Sequence, residues 1–301
     1  MAVLYDRIDS NKNKTYLLFA VFFVIVISIG WIFGEVYGIG FWGAIIAFCI
    51  ASVMAFVSYY SSDSIALSVN GAIPADEKKY LVLHDTVEGL AIAAGIPKPR
   101  VYVIEDGAIN AFATGRDPQH SAVVVTTGAL TRLNKLELEG VIAHELSHVK
   151  NRDILVMTMA VVLVGVIALL SDFMIRSMWY GRGGSSRDGG RLGLVFVLVG
   201  LGLALLAPVI GGLFKMAISR NREFLADADG ALLTRYPEGL ANALQKISVD
   251  TDPLDRANTA TAHLFFANPF KKRAWMASLF NTHPPIEERI KSLRQMAYME
   301  R

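Results

Sequence analysis

Val141–Arg152 reads VIAHELSHVKNR and carries His144, Glu145 and His148 in the spacing H-E-x-x-H. On an α-helix, residues four apart stack on one face, so both imidazoles can reach one metal ion. Glu145, beside the first histidine, is placed to touch a water on that ion, the working arrangement of a zinc hydrolase. The competing reading is a polar surface helix with two unrelated histidines. The chain has only six histidines, which makes that coincidence the weaker explanation.

A catalytic zinc takes three protein ligands and keeps a further position open. The third ligand has to come from another helix. Glu223, in EFLAD, is the candidate, with Asp227 one turn further along the same face. A carboxylate there can accept an imidazole N–H and orient the ring, as partners behind zinc-binding histidines commonly do. Taken alone, the same acidic pair fits a solvated helix face equally well. His283 and Arg289, in HPPIEER, are candidate donors to the oxyanion of a peptidase reaction; otherwise they belong to a Pro-capped surface helix. Asn110, Ala111, Phe112 and Ala113 read as a strand with small residues flanking the aromatic ring. Such a strand at a sheet edge can pair with an extended substrate backbone, although an ordinary core strand fits the same residues. His84, His120 and His263 lack ligand spacing and are expected at structural or surface positions.

The elements that position these residues start with membrane segments. The 301 residues are 53% hydrophobic and 19% charged, with a mean hydropathy of +0.41, too apolar for an ordinary soluble domain. The excess lies in four apolar runs: Thr15–Gly34, Tyr37–Tyr60, Ile154–Ser171 and Leu192–Phe214. Trp31, Phe41 and Trp42 fall near one pair of ends and Tyr59 and Tyr60 at the other, as in interfacial aromatic belts. The first run is too long for a signal peptide and lacks a small-residue cleavage site. Arg7, Lys12 and Lys14 precede it, whereas the connector to the second run holds Glu35 and no basic residue. That asymmetry puts the N-terminus, and both ends of the hairpin, in the cytoplasm. The segment between the third and fourth runs pulls the other way, with Arg176, Arg182, Arg187 and Arg191 against Asp172 and Asp188. Either the first hairpin sets the topology, or the later pair does not cross the bilayer fully. A net charge of +2 gives no sign of a nucleic-acid partner, and the single cysteine, Cys49, rules out a disulfide within the chain.

Outside the runs the chain reads as folded in water. Pro74 is expected to open a helix over Ala75–Ala94, closed by Gly95 and Pro97. Val101–Glu105, Asn110–Arg116 and Ser121–Thr127 read as strands. Asn134 caps the next helix, and Glu137 completes a capping box. That helix carries His144 and His148 and is expected to continue unbroken through Asn151–Asp153 into the third run. A helix over Lys215–Leu233 carries Glu223, and Pro284–Pro285 open a last amphipathic helix. Four parts result: a membrane hairpin (1–60), a first catalytic half (61–153), a second hairpin (154–214) and a second catalytic half (215–301). Counting helical rise from the runs puts the metal roughly 10–15 Å above the hydrocarbon edge.

The motifs NAFATG, VVVTTGAL, ELEGVIAHELSHVKNRD, EFLADADGA and THPP, in that order among four apolar runs, resemble the HtpX family. These are bacterial membrane-embedded zinc endopeptidases related to the prenyl-protein (CAAX) metalloendopeptidases, and the resemblance covers almost the whole chain. It implies one Zn2+ per chain on His144, His148 and Glu223, Glu145 as catalytic base, Asp227 behind a ligand, and His283 and Arg289 near the transition state. The implied fold is mainly α and integral to the membrane. It has about four transmembrane helices and a cytoplasmic α+β zincin-type (gluzincin) catalytic domain carrying a small β-sheet. The implied location is the bacterial plasma membrane, multi-pass, with the site facing the cytoplasm. The implied substrates are misfolded or damaged membrane proteins and unfolded polypeptides, in quality control, with self-cleavage. Two alternatives stay open: a processing protease for lipidated or signal-bearing peptides, and a membrane scaffold with an inactive site. Transport has no support, because the apolar runs hold almost no charge.

Overall fold

The computed structural model describes residues 2–159, 166, 198–202, 220–255, 261–270 and 284–299. The Arg-rich 179–191 segment, most of the third and fourth apolar runs, the beginning of the expected Lys215–Leu233 helix, and His283 lie outside the described residues.

The N-terminal segment is a helical hairpin of α1 (Ala2–Val36) and α2 (Trp42–Val69). Within it, Asn13–Glu35 and Trp42–Val69 are each long and apolar enough to cross a membrane. Their contact is close: a Cβ on Gly43 would meet the Gly30 carbonyl oxygen at 2.3 Å and the Gly34 Cα at 2.6 Å. Small residues allow this approach where lipid supplies no hydrophobic drive between helices. The second run was expected from Tyr37, but its helix starts at Trp42. Gly38 and Gly40, at φ +73° and +55°, form the turn before it. The helix then passes Tyr60 and delivers Ala66 and Leu67 into the core beneath the sheet.

Pro74 does not open a helix. It sits in a short strand, β1 (Ile73–Pro74), paired antiparallel with β2 (Arg100–Ile104). An edge strand tolerates proline because the missing N–H faces away from the ladder. The carboxylate of Asp76 then accepts from the backbone N–H of Lys78 and Lys79, a local turn that competes with helix. Helix α3 (Leu81–Ala94) therefore begins late, and ends on a left-handed Gly95.

The sheet order is β1-β2-β4-β3, with β3 spanning Ala111–Gly115 and β4 spanning Ser121–Thr126. β2 runs parallel to β4, β3 antiparallel to it, and β3 forms one edge. Ala111, Ala113, Val123 and Val125 face one core with Ile142 and Leu146. Phe112, Ala122 and Val124 face the other, with Leu67 and Phe265. Cover on both faces explains why SAVVVT lacks polar alternation.

A short helix, α4 (Thr127–Arg132), leads to α5 (Lys135–Lys150), the centre of the fold. The expected capping box is formed: Glu137 N–H donates to Asn134 Oδ1 at 3.0 Å, and Asn134 N–H donates to Glu137 Oε2 at 2.8 Å. Every residue from Val141 to Val149 is buried. Around α5 stand α3, the sheet, α6 (Arg220–Thr234) and α7 (Pro237–Val249), and α8 (Ile286–Met299) packs on α6 and α7. A Cβ on Gly230 of α6 would lie 3.0 Å from the His144 backbone nitrogen, so the two helices cross at the first histidine.

Helix α5 does not run on into the third apolar run. It ends at Asn151, Arg152 takes a left-handed φ of +57°, and helix resumes over 153–159. One left-handed residue redirects the chain, so the height of the histidines above a membrane cannot be counted as straight helical rise. Asn134→Ala is expected to cost about 1 kcal/mol. Thermal unfolding in detergent should show a lower midpoint, with bound metal per chain unchanged.

Candidate metal centre

Three buried side chains converge beneath α5. His144 and His148 come from α5 and Glu223 from the first turn of α6, and their ligand atoms lie within 4.8 Å of one another. The two Nε2 atoms are 3.2 Å apart. Glu223 Oε2 is 3.8 Å from His144 Nε2, and its Oε1 is 3.6 Å from His148 Nε2.

The far side of each ring is fixed by a carboxylate. His144 Nδ1 stands 2.9 Å from Asp227 Oδ1, and His148 Nδ1 stands 3.0 Å from Asp153 Oδ2. An ionised carboxylate only accepts, so both Nδ1 atoms carry hydrogen. When both rings are neutral, their Nε2 lone pairs therefore face the same point. Two nitrogens on one tetrahedral zinc, with Zn–N of roughly 2.0–2.1 Å, stand roughly 3.3–3.4 Å apart. The donor set fits a divalent cation.

One proton can bridge the same two atoms. Burial lowers the pKa of His144 to about 4, with the Arg289 charge adding to the effect. Burial opposes protonation of His148 too, but the Asp153 hydrogen bond and the Glu223 charge raise its pKa to about 9. His148 can then donate Nε2–H to a neutral His144. A cation and that proton compete for one pair of nitrogens.

Asp227 is held in turn by Arg289 of α8. Nε donates to Oδ2 at 2.8 Å and Nη2 to Oδ1 at 2.6 Å, a bidentate fork, while Nη1 lies 3.5 Å from Glu223 Oε2. Burial alone would raise the Asp227 pKa; the guanidinium and the imidazole bring it down to about 2. Arg289 is 1% exposed, and its guanidinium stacks 4.8 Å from the Phe266 ring. That ring in turn meets the His144 ring edge-on at 4.9 Å. Glu145 is also buried, close enough for its charge to act on His148 and Arg289. Ser147 Oγ and Asn151 Nδ2 both donate to Asp229 Oδ2 at 3.1 Å, a second tie between α5 and α6.

Of the expected site residues, the structure brings together His144, Glu145, His148, Glu223, Asp227 and Arg289, with α5 packed against the strand that holds Ala111 and Ala113. Phe112 points to the opposite core, where its ring meets Phe265 at 5.0 Å. His84 is a buried structural residue, its Nε2 3.0 Å from the Ala75 carbonyl oxygen, and His120 is an exposed partner of Asp117.

Asp153 and Phe266 had no role in the sequence reading. On an unbroken helix, Asp153 would lie about 140° around the axis from His148. The left-handed turn at Arg152 brings it back. The run VKNRD after the second histidine was in plain view, but its geometry depends on a backbone kink that no residue type announces.

A buried histidine pair and carboxylate on crossing helices, beside an apolar hairpin, define a membrane metalloprotease. Similarity to known proteins agrees. Residues 77–297 match peptidase family M48, and the chain belongs to that family. A "Protease HtpX homolog" from Caldanaerobacter subterraneus subsp. tengcongensis is 48% identical over 295 residues, covering 97% of this chain and 98% of the relative. Proteins of the same description from Dictyoglomus thermophilum and Pyrococcus furiosus are 45% and 47% identical, covering 97% and 94% of this chain and 94% and 95% of their own lengths.

Metal uptake by the metal-stripped protein is expected to release a proton from His148 at pH 7.5, because a raised pKa keeps that ring charged below about pH 9. Calorimetry in two buffers of different ionisation enthalpy checks this. The released fraction should fall as the pH passes about 9. Asp227→Asn, which keeps the shape and removes the charge, is expected to weaken metal affinity about 10–100-fold, read by competition with a chelator.

Proposed function

We propose that the chain is a zinc-dependent integral membrane endopeptidase. It cuts misfolded or damaged membrane proteins at the cytoplasmic face of the bacterial plasma membrane, and cuts itself. The observation that carries this reading is the pair of Nε2 atoms 3.2 Å apart, each with its Nδ1 committed to a carboxylate and a glutamate beside both. Two imidazoles and one carboxylate with a position left open is the donor set of catalytic zinc. One ion per chain would be held by His144, His148 and Glu223.

Zinc bound there supplies Lewis acidity, which polarises a peptide carbonyl and makes water a nucleophile near neutral pH. The chain's own residues do the rest. Glu145, next to His144 on the same helix, takes the proton of the attacking water and delivers it to the leaving amine. Asp227 keeps the His144 ring turned with Nε2 inward, and Arg289 keeps Asp227 ionised and in place. Arg289's fork is spent on that carboxylate, which favours a positioning role over direct contact with the oxyanion. His283 stays the candidate oxyanion donor; Pro284, which follows it, is buried.

Substrate would add to β3. Asn110 pairs with Thr126 through the Asn110 carbonyl, so alternation turns the N–H and C=O of Ala111, Ala113 and Gly115 outward. The Ala111 carbonyl accepts from Phe266 N–H at 2.8 Å, and the Gly115 N–H donates to Thr158 Oγ1 at 3.3 Å. Ala113 lies between these two points, the natural place for an extended peptide to pair.

The four-part organisation is supported by the way α5 packs with α6 and α7 across the intervening apolar runs, with α8 packed on those two. The basic flank before the first span supports a cytoplasmic site. Two further spans in the third and fourth runs, and a zincin-type catalytic domain of gluzincin kind, complete the proposal.

Purified protein is expected to hold about one zinc per chain. Glu145→Gln should keep that zinc and lose cleavage of an unfolded membrane protein; normal cleavage by this variant would remove Glu145 as the base. Glu223→Ala should lose both zinc and cleavage, and retention of zinc would send the search to another third ligand.

A further inference from the structure

Asp153 holds His148, and three groups converge on this carboxylate. Oδ2 meets His148 Nδ1 at 3.0 Å. Oδ1 accepts from Asn11 Nδ2 at 2.7 Å and from Arg222 Nη1 of α6. Asn11 belongs to α1, two residues before the apolar stretch that begins at Asn13. Its amide nitrogen donates a second time, to the Asn151 carbonyl oxygen at 3.0 Å, which is where α5 ends and the left-handed turn begins. Asn11 is 1% exposed. Its amide has one workable orientation, because a flip would set its oxygen against two acceptors. The helix that enters the membrane thus clamps both the turn after the metal helix and the carboxylate that this turn presents to a ligand.

We propose that Asn11 is a positioning residue for the metal centre: acting through Asp153, it couples the seating of the first membrane-spanning helix to the orientation of His148. The inference rests on the reading of His148 as a metal ligand. Its physical content is second-hand orientation. A carboxylate held from two sides keeps the imidazole at one angle. A carboxylate released on one side lets the ring swing, at a cost in affinity. Because α1 is anchored by its apolar length, displacement of that helix in the bilayer reaches the metal without passing through the active-site cleft.

The test uses full-length protein in lipid nanodiscs, with zinc affinity read by competition against a fluorescent chelator and ligand geometry by the visible spectrum of the cobalt-substituted form. Asn11→Ala and Asn11→Leu, one smaller and one of fuller volume, both lack the donor. Each is expected to bind zinc about 3–10-fold more weakly than wild type, below the about 10–100-fold expected for Asp153→Asn, and to shift the cobalt spectrum. Thr15→Val, at a buried residue one turn along α1 whose hydroxyl donates to the Asn11 carbonyl oxygen at 3.0 Å, removes a bond within the helix and leaves the Asn11 side chain in place, and should leave both readings unchanged. Wild-type affinity in either Asn11 variant would overturn the proposal. So would retention by Leu with loss by Ala, which would mark a packing role, or an equal loss in Thr15→Val, which would mark general seating of the helix. His148→Ala is the reference. If it binds zinc as wild type does, the metal-site reading itself fails; if it loses zinc while the Asn11 variants do not, only the coupling fails.

Discussion

The structure turns on which nitrogen of each histidine carries hydrogen. A metal pair needs both Nε2 lone pairs, and an imidazole left alone places its proton on either side. Here two carboxylates from outside the H-E-x-x-H turn settle the matter, Asp227 for His144 and Asp153 for His148. Each carboxylate is then secured in its own right, Asp227 by Arg289 and Asp153 by Arg222 and Asn11. Helices α1, α5, α6 and α8 all contribute to this single constraint. The fold can be described as the scaffold that brings two acids behind two bases.

Burial makes the constraint strict. The histidines, Glu223, Asp227 and Arg289 are nearly inaccessible, and an unpaired charge in that setting would be costly. Charges are therefore matched in chains rather than pairs: guanidinium to carboxylate to imidazole on one side, and the same sequence through Asp153 on the other. Removing any inner member leaves its neighbour's charge or polar group buried without its partner.

Much of this was legible in the sequence. The spacing of His144 and His148 placed two rings on one helix face, and EFLAD placed Glu223 and Asp227 one turn apart, because both patterns depend only on helical period. The capping box at Asn134 and Glu137 and the three strands followed from equally local chemistry. What depended on tertiary geometry was hidden. Asp153 escaped because Arg152 leaves the helical region, a backbone event at an ordinary residue type. Pro74 misled because a proline suits an edge strand as well as a helix start, and the Asx turn at Asp76 decided between them. Arg289 was singled out as a residue, but its bond to Asp227 was not, since no pattern along one helix says which distant carboxylate its fork will meet. Asn11 sat in a polar N-terminal stretch with no periodic signal at all.

The crossing of α5 and α6 at Gly230 has a consequence for how the protein is made. His144 and Glu223 are 223 − 144 = 79 residues apart in the chain. At synthesis rates of roughly 5–20 residues per second, the histidine helix leaves the ribosome roughly 4–16 s before Glu223, the third member of the cluster, does. During that interval the nascent chain holds His144, Glu145 and His148 with neither Asp227 nor Arg289 to orient the rings. The buried cluster is complete only when the second half of the chain has folded against the first.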